Sequence, residues 1–152
     1  MDATYDHCLA DLRREIETGG ARPAVIDIAV NDLLEERRER LPSDLLSLLT
    51  DSAEYDEDMF SLIHTAETYD DIAYVRALLT VFPQLVSSSP RWASIVLMRV
   101  LNNPLTQAEM VVQLRTASAA SKDATREMCD RINSVSPEFL SKTVPVTLTA
   151  SE

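Results

Sequence analysis

Residues 89–104 read Ser-Pro-Arg-Trp-Ala-Ser-Ile-Val-Leu-Met-Arg-Val-Leu-Asn-Asn-Pro, and this stretch decides the fold. It opens with a hydroxyl side chain followed by proline, the pair expected at an N-cap and first helical position. Trp92, Ile95, Val96, Leu97, Met98, Val100 and Leu101 then leave the helix apolar nearly all round. Such a helix has to be covered on every side, which predicts a place in the middle of a helical fold. Arg99 shares a face with Trp92 and Val96. It is expected either to pair internally with an acid or to lay its stem along the core with its head in water.

Working outward, the neighbouring segments keep the same period. Upstream, Asp70 or Asp71 caps a helix whose stripe is Ile72, Val75, Leu78, Leu79 and Phe82, which Pro83 is expected to end or kink. Before it, a helix over about residues 56–68 buries Met59, Leu62, Ile63 and Ala66, and Pro42-Ser43-Asp44 opens a short one through Leu45, Leu46, Leu48 and Leu49. Two further helices are expected at the start. One covers residues 2–18 on Tyr5, Leu9, Leu12 and Ile16; the other runs from Pro23 to about Arg40 on Ile26, Val30 and Leu33. Gly19-Gly20 supplies the stop between them. The run Glu35–Arg40 alternates charge at helical spacing and reads as a solvated helical face.

Downstream, Asn103-Pro104 and a capping box from Thr106 to Glu109 begin a helix carrying Met110, Val111 and Leu114. Ser121 starts the next, with Met128 and Ile132, and Ser136-Pro137 opens a last turn around Phe139 and Leu140. From Thr143 onward, Val144, Val146 and Leu148 alternate with threonines and a proline, which reads as a loosely held terminus. The expectation is an all-α protein of about seven or eight antiparallel helices. They form a single compact, solenoid-like bundle of helical hairpins over residues 1–142, with 143–152 as a tail. No exact repeat period is present.

Composition agrees. The chain has 152 residues, 45% hydrophobic and 5% aromatic, so its core is aliphatic and its apolar content too high for disorder. Two adjacent glycines are too few for the turns of a sheet-rich domain. A net charge of −11 argues against nucleic acid and against an anionic membrane surface as partner. The amino terminus has no basic and apolar leader pattern, and the most apolar run is too short to span a bilayer. With two cysteines, Cys8 and Cys129, the expectation is a cytoplasmic protein with reduced thiols.

That charge is unevenly placed. Residues 1–40 carry ten acids and six arginines, residues 76–152 six acids and eight cations, and residues 41–75 nine acids with no Lys or Arg at all. Acids in a first helical turn face the positive end of the helix dipole, which accounts for some of Asp56, Glu57, Asp58, Asp70 and Asp71. It does not account for a 35-residue window lacking any Lys or Arg, since a solvated helix normally mixes signs. Tyr55 and Tyr69 fall in connecting segments beside the acids, where rings serve either as interface anchors or as ordinary edge packing. The candidate protein-binding residues are therefore Asp51, Glu54, Tyr55, Asp56, Glu57, Asp58, Glu67, Tyr69, Asp70 and Asp71.

Chemistry is not written in the chain. No CxxC, HxxxH, HExxH, EF-hand loop, GxSxG or glycine-rich phosphate loop occurs, so no catalytic residue, cofactor or metal is expected. His64 reads as a solvated histidine on a helix flank, and Cys8 and Cys129 as small core or boundary residues.

Four runs carry a resemblance. They are Leu45-Leu-Ser-Leu-Leu, then Asp56-Glu-Asp-Met-Phe-Ser-Leu-Ile-His, then Tyr69-Asp-Asp-Ile-Ala-Tyr-Val-Arg-Ala-Leu-Leu, then Ser89-Pro-Arg-Trp-Ala-Ser-Ile-Val-Leu-Met-Arg-Val-Leu-Asn. In pattern and order they resemble the all-helical immunity family thirty of polymorphic toxin and contact-dependent growth inhibition systems, over about residues 41–104. The resemblance implies a non-enzymatic protein that binds and blocks a cognate toxin domain, the C-terminal part of a secreted effector. Such toxins are often nucleases with basic clefts, and an acidic surface complements one. The rival reading is a helical-repeat adaptor binding a basic segment of another protein.

Overall fold

The computed structural model describes residues 3–18 and 22–152. Within them are nine α-helices and one 3-10 turn, with no strand. The helices are α1 (Ala3–Glu17), α2 (Pro23–Glu35), α3 (Leu41–Leu46), α4 (Asp56–Ala66), α5 (Asp71–Ser88), α6 (Pro90–Asn102), α7 (Pro104–Leu114), α8 (Ala119–Val135) and α9 (Leu140–Ala150). The all-α compact bundle expected from the chain is what the structure holds. The Gly19-Gly20 stop lies outside the described residues.

The core is aliphatic, with Tyr5, Phe82 and Trp92 as its large rings. Helix α6 lies among α5, α7 and α8, as its apolar circumference requires, and the edge of Trp92 meets Phe60 at 5.1 Å. Helix α5 packs on α3, α6, α7 and α8. The α1–α2 pair joins the bundle through α2 against α4.

Several local expectations are corrected. Helix α2 ends at Glu35, not Arg40: Arg37 sits in the left-handed region at φ 45° and turns the chain. The arginines of this run lie on aromatic faces, Arg37 over Tyr69 at 4.9 Å and Arg40 over Tyr5 at 4.4 Å, so the run is a bend clasped to the bundle. Pro83 does not end α5. Lacking an N–H, it leaves the Leu79 carbonyl free, and Ser121 Oγ donates to that carbonyl at 2.7 Å. Ser121 is thus inside α8, whose N-cap is Ser118.

The capping box at Thr106 does not form. Asn103 caps α7 by accepting from Leu105 N at 2.9 Å, while Thr106 Oγ1 donates to the Val100 carbonyl at 2.7 Å. The tail is also different from its reading: the chain from Leu140 is helical, with Thr143, Val146, Thr149 and Ala150 buried and α9 packed on α7 and α8. A spacing of three and four among those residues puts them on one helical face, which outweighed the threonines and Pro145. Cys129 is buried, and burial pushes its thiol up to about 11.

Candidate functional site

The ten candidate residues collect at the two ends of α4. Eleven helical residues rising about 1.5 Å each hold those ends roughly 16 Å apart. Each group is drawn together and the two groups are kept separate.

At the amino end two of the five acids, Asp51 and Asp56, are engaged by α6, and a third, Asp58, is buried. Asp51 accepts the backbone N–H groups of Arg91 at 3.0 Å and Trp92 at 3.1 Å, and so caps α6 from forty residues upstream. Ser89, the expected cap, donates instead to the Leu49 carbonyl at 3.2 Å. Asp56 takes both guanidinium nitrogens of Arg91, at 3.2 and 2.9 Å, and this bond holds its carboxyl below the usual range. Asp58, expected on the surface, is 3% exposed, and its Oδ1 meets no donor. Burial, then the charges of Asp27 and Glu57, push that carboxyl above the usual range. Among the described residues, Glu54 and Glu57 are the exposed acids here without a hydrogen bond or ion pair, beside a partly exposed Tyr55.

At the carboxyl end Glu67 grips Arg99 through two bonds of 2.9 and 2.7 Å, the internal pairing expected of that arginine. Tyr69 donates its hydroxyl to the Arg38 carbonyl at 2.7 Å, and burial raises its phenol above the ordinary value. Asp70 caps α5, accepting from Ala73 N at 2.8 Å, yet stays exposed. Asp71 has no ion pair among the described residues.

Asp70 and Asp71 open onto a groove of about 850 Å³ between the start of α5, α3 and α7. Glu39 and Glu109 stand on its walls, Arg76 is the one cation lining it among the described residues, and Ile72 and Leu105 contribute apolar surface at 51% and 71% exposure. Charge reading missed Glu39 and Glu109 because both lie outside the cation-free window. Ile72 was placed in the buried stripe of α5; it shares that period but precedes the point where neighbours cover the helix.

A family model described as Immunity protein 30 matches residues 14–110. The chain belongs to that family. No curated protein and no solved structure gives a significant match. The matched span begins within α1 and reaches into α7, so it takes in the α1–α2 pair that the resemblance over residues 41–104 had left out. Both ends of α4 and all four acids of the groove in this immunity protein lie inside it. Among the described residues no helix is long and apolar enough to cross a membrane.

Proposed function

We propose that this immunity protein neutralises a cognate toxin in the cytoplasm by seating a basic surface of the toxin, such as a nuclease cleft, in the groove between α3, α5 and α7. One observation carries the reading. Among the described residues, Glu39, Asp70, Asp71 and Glu109 face a single lining cation, Arg76, around exposed Ile72 and Leu105. Acids at the rim steer a basic partner and raise its association rate, while apolar residues that become buried slow its escape. Glu54, Tyr55 and Glu57 at the far end of α4 then serve as a secondary contact. In this reading Asp51, Asp56 and Asp58 serve the fold, and the contact with the toxin does not depend on them.

Co-expression with the cognate toxin domain tests this. Exchanging Glu39→Lys, Asp70→Asn and Glu109→Lys together leaves the capping position at 70 filled and is expected to abolish protection with an unchanged thermal melt. Full protection by that folded variant refutes the groove as the interface. Raising salt is expected to slow association steeply, because exposed charges are screened within about 10 Å at 0.1 M.

A further inference from the structure

A second concavity, of about 410 Å³, lies where α4 passes into α5 and α6 into α7. Glu67, Asp71, Tyr74, Arg99, Asn102 and Thr106 line it, and Asp71 also lines the groove, so the two are neighbours that share one carboxylate. Tyr74 is 3% exposed and its hydroxyl has no hydrogen-bond partner. Burial, then the charge of Glu67, raises that phenol, with Arg99 opposing. A buried hydroxyl left unpaired is a cost to the fold, because its hydrogen bonds to water are lost and not replaced. Thr106 shows the contrast, its hydroxyl donating to the Val100 and Asn103 carbonyls at 2.7 and 3.1 Å.

The charge of the pocket is also incomplete. Arg99 is held by Glu67, and Asp71 has no counter-ion among the described residues. The carboxyl ends of α4 and α6 meet the amino ends of α5 and α7 here, so the helix dipoles offset one another and the side chains set the sign. What remains is one carboxylate and one phenol without partners, at the edge of an acidic groove.

We infer that this pocket receives one arginine side chain of the toxin. A guanidinium is planar, always charged, and carries five donors in a fork. Two of them meet the Asp71 carboxylate and a third reaches the Tyr74 oxygen, whose own O–H then turns to Glu67. A lysine offers one point charge and lacks the span for both groups. The Tyr74 oxygen is closed to solvent in the free protein, so entry moves the Arg99 head, whose side chain is 37% exposed and has room toward water. The source of the arginine rests on the toxin-binding reading; the chemistry of the pocket does not.

The test uses the isolated full chain and two small probes of the same shape, ethylguanidinium and neutral N-ethylurea, followed by NMR at the backbone amides of Ala73, Val75 and Thr106. Ethylguanidinium is expected to give saturable shifts in the millimolar range, and N-ethylurea none. Tyr74→Phe is expected to leave the melt unchanged or higher, since an orphaned hydroxyl has gone, while weakening ethylguanidinium about tenfold. Asp71→Asn, a change of charge at a half-buried position, is expected to remove the response. Equal shifts with both probes, no saturation, or an affinity indifferent to Tyr74→Phe overturns the assignment. Any of those results leaves the groove reading standing on Glu39, Asp70 and Glu109, and loss of the groove reading leaves the probe result intact.

Discussion

The two ends of α4 carry similar runs of acid and use them differently. At the amino end, Asp51 holds the first turn of α6, Asp56 is tied to Arg91, and Asp58 is buried beneath both charge and chain. At the carboxyl end, Asp70 performs its capping while remaining exposed, and Asp71 is left to the groove. A window without Lys or Arg in sequence is therefore not a surface without them. Arg40, Arg91 and Arg99 come in from either side to Asp44, Asp56 and Glu67. Only where no such cation arrives does the acid remain available to a partner.

That contrast can be broken most sharply by charge reversal on each end. The groove variant described above is expected to lower toxin affinity about a hundredfold or more, roughly 2.7 kcal/mol. Glu54→Lys with Glu57→Lys is expected to change it by only a few fold, measured by the same binding assay. Equal losses at both ends would merge them into one interface.

Next in size is the structural role of Asp51. Asp51→Ala removes the acceptor of two α6 N–H groups and is expected to cost about 2 kcal/mol in denaturant unfolding. An exposed, merely electrostatic acid would cost almost nothing there.

Ser121→Ala is expected to cost about 1 kcal/mol, because the Leu79 carbonyl freed by Pro83 loses its donor. In a Pro83→Ala background the residue at 83 supplies that donor itself. The same serine substitution should then cost less, and a double-mutant cycle showing strict additivity would reject the pairing.

The smallest effect sharpens the amino end. Asp58 has a carboxyl raised in the folded state by burial first. Its penalty is present above the folded pKa, shrinks as pH falls through that value, and is gone below the unfolded one, about 4. Asp58→Asn is therefore expected to raise stability slightly at neutral pH, with the advantage fading toward pH 4 in thermal melts.

Much of the fold was readable because helix periodicity is a local code. Stripes such as Met59-Leu62-Ile63-Ala66 need only neighbours three and four residues away to show which face is buried. The tail misled because Pro145 and its threonines weaken helix propensity, whereas burial of Val146 and Ala150 against α7 and α8 is a tertiary contribution. The acidic block was legible as a block. Its division into engaged and available acids was not, since the partners of Asp51, Asp56 and Glu67 lie 32 to 41 residues away.

The sequence by itself determined an all-helical, aliphatic, acidic chain of the Immunity protein 30 family, through short-range spacing and the proline-marked helix starts. The tertiary structure alone decided where charge survives on the surface. It set Asp51 on α6, let Ser121 rescue the carbonyl beneath Pro83, and left Asp71 and Tyr74 unpartnered side by side. The reason is physical: a hydrophobic stripe is defined along one helix, but the fate of a carboxylate depends on which donors packing brings within about 3 Å of it.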